Sequence, residues 1–142
     1  MAHGYDDVEA SNKQIVEAGF ARWAKGAGSP YEDLAPNAKW TAVGNSAVSR
    51  TFNSREEYMA EVIGPFNARM SSPLVPSVKG VYADGDMVVV RFDGKGTARD
   101  DKPYVNSYAW FLQMRDDQIV RVTAFFDTTA FNELWTRVTP AT

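Results

Sequence analysis

The spacing of apolar residues changes part-way along the chain. Val16, Phe20 and Trp23 recur at helical intervals with Ile15 beside them, which predicts a helix with one apolar face. Ser11 and Gln14 read as a capping box at its start, and Gly26 and Gly28 read as its end. Residues 1–10 then form a flexible tail. Ser29, Pro30 and Glu32 predict a second, short helix that Pro36 closes. A strand is expected over Ala38–Val43 around Trp40, a turn at Gly44–Asn45, and an antiparallel return over Ala47–Phe52. Ser54 and Glu57 make a third capping box. The helix behind it carries Tyr58, Met59, Val62, Ile63 and Phe66, and Pro65 should kink or end it.

Beyond Pro73 and Pro76 the period becomes two. Strands are expected over Val78–Ala83, Met87–Ala98, Tyr104–Met114 and Gln118–Phe126, with turns at Asp84–Gly85 and Asp116–Asp117. Gly94 and Gly96 mark bulge or bend points. Asp127 caps a last helix through Phe131, Leu134 and Trp135. Helices followed by a run of strands make an α+β fold rather than alternating βαβ units. With no repeat and no linker, residues 1–142 read as one domain.

The strand Tyr104–Met114 is apolar on both faces. Tyr104, Tyr108, Trp110 and Leu112 lie on one, and Val105, Ala109 and Phe111 on the other. A half-solvated sheet would alternate with polar residues. One face is therefore expected to meet the helices. The other should meet a second sheet, either that of another copy in a homodimer or the curled continuation of its own.

Composition narrows the chemistry. The chain has no cysteine and one histidine, His3, so thiol catalysis, disulfides and zinc–thiolate centres are excluded and a transition-metal site is not expected. No cofactor is expected. A net charge of −3 gives no footprint for nucleic acid. No apolar run reaches the roughly 20 residues a bilayer span requires, and the acidic N-terminus does not read as a signal peptide, so no membrane partner is expected and the compartment predicted is the cytoplasm. Gly94-Lys95-Gly96 lacks the strand–loop–helix setting of a phosphate loop.

Candidate chemistry comes from the last hairpin. If Asp116-Asp117 is a two-residue turn, Arg115 faces Gln118, Trp110 faces Thr123, Tyr108 faces Phe125 and Asn106 faces Asp127. Opposed side chains share a face about 5 Å apart. A carboxylate and a carboxamide would then stand together among aromatics. A desolvated carboxylate has a raised pKa and can move a proton near neutrality. An amide N–H or phenol O–H beside it can hold an oxygen on which negative charge develops. Asp127 reads equally as the N-cap of the final helix. Asn106 reads as a donor to a ligand oxygen or as a tie to Asp127. Tyr108, Trp110, Phe125 and Trp40 read as pocket lining or as plain core, as do Tyr31 and Tyr58 on the covering helices. Arg91 and Asp93 read as a solvated or cross-strand pair.

The run Tyr104-Val105-Asn106-Ser107-Tyr108, a hairpin, and then Ile119 through Phe125-Phe126-Asp127-Thr128 resembles the C-terminal signature of SnoaL-like and ketosteroid-isomerase-related proteins of the NTF2-like superfamily. Here the turn has Asp117 where glycine is usual. The resemblance implies a cone in which a curved, mixed or antiparallel sheet packs against N-terminal helices. It also implies that Asp127 acts as acid or base with Asn106 orienting the substrate oxygen. The expected function is isomerisation, cyclisation or water addition on an apolar small molecule bearing a carbonyl or epoxide. The alternative is a non-catalytic module that binds a hydrophobic ligand or dimerises.

Overall fold

The computed structural model describes residues 3–141, with side chains from Asp7 onward. Helix α1 spans His3–Ala24 and buries Val16 and Phe20 at 2% exposure each. It starts well before Ser11, which is a mid-helix position and not a cap. Of the segment 1–10 read as a tail, the described residues from His3 on are helical, and Glu9 accepts a hydrogen bond from the Gly85 amide in a later turn. The α1 end is as expected: the Ala27 amide donates back to the Arg22 carbonyl at 2.9 Å, closing the last turn around Gly26.

A 3-10 turn, Pro30–Asp33, follows. The Ser29 amide donates to the Glu32 carboxylate at 2.7 Å. Strand β1, Leu34–Ala42, begins before Pro36 rather than after it. Strand β2 is only Thr51–Phe52 and pairs antiparallel, with Trp40 opposite Phe52. Ser54 Oγ accepts from the Glu57 amide at 3.0 Å, while the Glu57 carboxylate reaches Asn53. The helix behind that cap runs as α2 (Arg55–Tyr58), a π turn (Met59–Ile63) and α3 (Gly64–Asn67). The wide turn explains why Pro65 does not end the helix. The Gly64 amide reaches back to the Met59 carbonyl, so the register has already shifted where proline withholds its N–H.

Four long strands complete the sheet: β3 (Met70–Asp84), β4 (Met87–Ala98), β5 (Pro103–Arg115) and β6 (Gln118–Phe126). The order is β2-β1-β6-β5-β4-β3. Every pairing is antiparallel except β1 with β6, where Trp40 lies beside Val122. β3 starts at Met70, eight residues before Val78. Pro73 and Pro76 are tolerated because β3 is an edge strand whose pairing with β4 is interrupted three times. These irregularities fall on β3, and β4 runs opposite β5 without a break. Gly94 and Gly96 are therefore points of close approach, not bulges: a Cβ on Gly96 would sit 2.7 Å from Met70 Cε and 3.0 Å from the Pro73 carbonyl oxygen.

The concave face of the sheet meets α1, α2, α3 and α4 (Thr128–Arg137), and the core between them includes Phe20, Phe52, Phe92, Leu112 and Leu134. Arg69 locks the end of α4 to α3. Its guanidinium donates to the carbonyls of Val138 (2.9 Å), Trp135 (3.3 Å) and Pro65 (3.0 Å) and lies 3.9 Å from the centroid of the Trp135 ring. The convex face keeps Val105, Phe111 and Phe125 exposed.

Candidate ligand site

The site is set by one extra residue in β6. Asp116 and Asp117 both have positive φ, and Arg115 pairs with Gln118 across a two-residue turn as expected. Between Met114–Ile119 and Gln113–Arg121 the register slips, with Val120 the additional residue. From there Trp110 faces Ala124 and Tyr108 faces Phe126. A one-residue slip turns every later side chain to the other face. Phe126 consequently points into the cone, while Phe125 lies on the convex face at 45% exposure, packed at 5.7 Å against Phe111. Phe125 is not a pocket residue, and the bulge is the reason.

The slip also rearranges Asn106 and Asp127. They are neighbours, but Asn106 contacts the backbone of Asp127 rather than its carboxylate. Asn106 Oδ1 accepts from the Asp127 amide (3.0 Å) and the Ser107 amide (2.7 Å), and Nδ2 donates to the Asp127 carbonyl (3.0 Å) and Tyr104 Oη (2.7 Å). The Asp127 carboxylate accepts from the amides of Thr129 (3.0 Å) and Ala130 (3.3 Å), caps α4, and sits on an exposed residue.

Inside the cone is a cavity of about 60 Å³. Five of the six side chains expected to line it do so: Tyr31, Trp40, Tyr58, Tyr108 and Trp110. Trp23, Phe66 and Phe126 are among the others. Trp40 stacks on Tyr58 at 4.1 Å, Trp110 meets Trp40 edge-on at 4.9 Å, and Tyr108 lies flat on Phe92 at 4.7 Å. Among the described residues, no carboxylate, amine, guanidinium or imidazole lines this cavity. Its titratable groups are phenols. Burial raises the pKa of Tyr31, Tyr58 and Tyr108, and also that of Tyr104 beside them, so these groups stay protonated across the physiological range.

Tyr104 Oη accepts from Asn106, whose nitrogen can only donate, and lies 3.0 Å from Tyr108 Oη. Either phenol can be the donor of that contact; with Tyr104 as donor, the Tyr108 O–H is left free to donate into the cavity that Tyr108 lines. Arg91 and Asp93 pair with each other at 2.7 Å, away from these groups, and Ser107 Oγ donates to Asp93 at 2.9 Å. No group of acidic or histidine residues suited to a metal ion is found among the described residues. No described helix is long and apolar enough to cross a membrane.

The SnoaL-like domain family matches residues 16–122. The chain belongs to that family. None of the curated proteins matches it. Among solved structures it is similar to Bal32a from a soil-derived mobile gene cassette (19% identity, 90% of this chain and 98% of that one, TM-score 0.75). It is similar to a SnoaL-like polyketide cyclase of Jannaschia sp. CCS1, so named as putative (19%, 91% and 94%, TM-score 0.71). It is also similar to TerC co-crystallised with polyporic acid (20%, 89% and 98%, TM-score 0.70). At these identities the likeness shows the fold alone, which is that of NTF2-like proteins.

Two outcomes follow from the site. Asparagine caps a helix about as well as aspartate. Asp127→Asn should therefore unfold in urea within a few tenths of a kcal/mol of the parent, whereas Asp127→Ala should lose about 1 kcal/mol. The buried phenols have folded pKa values above their unfolded ones, so the unfolded chain binds fewer protons once pH exceeds about 10. Their contribution to stability is complete below that pH and is lost as pH rises toward the folded values. In an alkaline titration the phenolate absorbance of these tyrosines should appear together with loss of near-ultraviolet circular dichroism. Phenolate formation in a chain that keeps its tertiary signal would contradict the burial argument.

Proposed function

We propose that this protein takes an apolar, oxygen-bearing small molecule into the aromatic cone and presents the Tyr108 hydroxyl to its oxygen. The observation that supports this reading is the Asn106–Tyr104–Tyr108 chain, which ends at a cavity otherwise walled by rings and aliphatic groups; with Tyr104 donating to Tyr108, the Tyr108 proton is free for a ligand oxygen. On a carbonyl substrate such a donor stabilises the oxygen as enolate charge develops, while water or hydroxide entering with the substrate takes the α-proton, since no basic side chain lines the cavity. Isomerisation and cyclisation through an enol both use that step. Asn106 enters as the group that orients the donor.

An acid–base role for Asp127 requires its carboxylate to leave the α4 terminus and turn inward. The second reading, a non-catalytic binder of a hydrophobic ligand, is favoured by the engagement of that carboxylate as a cap. The neighbour crystallised with polyporic acid supports small-molecule binding under either reading.

We also propose a homodimer through the convex face. Val105, Phe111 and Phe125 on β5 and β6 offer apolar area there, and Arg91 with Asp93 places both signs of charge on the neighbouring strand β4. A two-fold interface must be self-complementary, and a second copy meets that requirement.

Binding is tested with 4-ethylphenol, read by the emission of Trp40 and Trp110. Tyr108→Phe keeps the ring and should weaken binding up to about tenfold, the value of one hydrogen bond. Absence of binding, or equal binding by the variant, defeats the reading. Catalysis is tested by deuterium exchange next to the carbonyl of cyclohex-2-enone. The parent should accelerate it and Tyr108→Phe should slow it at least about tenfold. Loss in Asp127→Asn as well would bring that carboxylate into the mechanism, and binding without exchange favours the binder. For the dimer, Phe111→Asp with Phe125→Asp should halve the mass seen by sedimentation equilibrium. A parent that sediments as a monomer refutes the interface.

A further inference from the structure

The inner cavity is small for a ligand. At about 10–15 Å³ for each water-sized probe, 60 Å³ corresponds to roughly four to six waters, or a single planar ring. Immediately outside it lies a second space of about 640 Å³, bounded by the end of α1, the π turn with α3, and the first residues of β3. The two compartments share Trp23, Tyr31, Ile63, Phe66 and Leu74. These side chains form the inner wall of one and the outer wall of the other.

The two spaces differ in chemistry. The inner one is ringed by aromatic side chains whose polar groups are buried phenols and indoles. The outer one adds Ser29, Asn67, Ser71 and Ser72 to Met59 and Met70. The hydroxyls of Ser71 and Ser72 are turned to the β4 backbone at Thr97 and Ala98. Asn67, exposed at the end of α3, and Ser29, ahead of the 3-10 turn, belong to the same cleft. Among the described residues its lining carries no charged side chain. Neutral hydroxyl and amide groups recognise neutral hydroxylated ligands. They offer no counter-charge that would offset desolvation of a carboxylate or a phosphate.

We propose that the outer cleft is a second binding subsite, and that the ligand is elongated: one ring enters the cone while a neutral, hydroxylated extension remains in the cleft against Asn67 and Ser29. The inference rests on the reading of the inner cavity given above and adds to it the shape and polarity of the rest of the molecule. Asn67 is the residue that selects the extension.

The test compares three probes that share a phenol ring: 4-ethylphenol, 2-(4-hydroxyphenyl)ethyl β-D-glucoside and 3-(4-hydroxyphenyl)propionate. Affinities are read by tryptophan emission in the full chain. The glucoside should bind at least about tenfold more tightly than 4-ethylphenol, and the carboxylate should gain nothing. Asn67→Leu should remove most of the glucoside's advantage and leave 4-ethylphenol unchanged, which also shows that the variant is folded with its inner site intact. Equal affinity for glucoside and 4-ethylphenol overturns the subsite, as does an advantage that survives Asn67→Leu and Ser29→Ala together. A tighter carboxylate overturns its neutrality. If 4-ethylphenol itself fails to bind while the glucoside binds and depends on Asn67, the cleft stands and the inner-cavity reading falls. If none of the three binds, both fall.

Discussion

The Asn106 carboxamide is 3% exposed and uses both hydrogens and both lone-pair positions on fixed partners. Two of those partners are the amide and carbonyl of Asp127, the residue at which β6 stops and α4 begins. The third is the next amide on its own strand, and the fourth is a phenol leading to the cavity. The strand end, the helix start and the ligand site are thereby held by one side chain. A leucine at this position would leave the buried amides and carbonyl without partners, at about 1–3 kcal/mol for each such group. It would also deprive Tyr104 of the donor at its phenol oxygen. The carboxamide that holds the start of α4 is thus also the one that bonds a phenol beside the cavity.

The phenols of the aromatic cone stay neutral, so the cavity lining offers hydrogen-bonding groups and no fixed charge. Stacked and edge-on contacts among Trp40, Tyr58, Trp110 and Phe92 hold the walls at van der Waals spacing, which limits how many shapes the cavity accepts.

Much of this was legible in the sequence, for reasons that can be named. Period two along β4, β5 and β6 located those strands to within a residue, since their core positions recur at every second residue on either side of the β6 bulge. The apolar outer positions Val105 and Phe111 were legible in the same way and lie exposed on the convex face. Five pocket aromatics were identified because they sit on faces that face and helix periodicity both select. What escaped detection were departures from regularity. The Val120 bulge carries no glycine or proline to announce it, yet it exchanges Phe125 for Phe126. The edge position of β3 could not be inferred from Pro73 and Pro76, which look like strand breakers until the neighbour on one side is known to be absent. Ser11 and Gln14 fit a capping box in composition, but the helix had already begun at His3. A cap is decided by the residues before it as much as by its own. Trp23, Phe66 and Leu74 could be read as core, and nothing local marked them as a wall between two spaces.

The parallel pairing of β1 with β6 bears on how the chain assembles. Trp40 is made 82 residues before its strand neighbour Val122. Until the β5–β6 hairpin arrives, β1 has only the two residues of β2 as a strand partner. Closing so long a loop costs chain entropy before any contact rewards it. Trp40 and Tyr58 can stack on each other before then, but Tyr108, Trp110 and Phe126 come only with that hairpin, so the aromatic cone is completed late. A nascent chain of this protein would expose its most adhesive rings until the final strand leaves the ribosome, and its need for shelter during synthesis is set by where one strand was placed in the sheet.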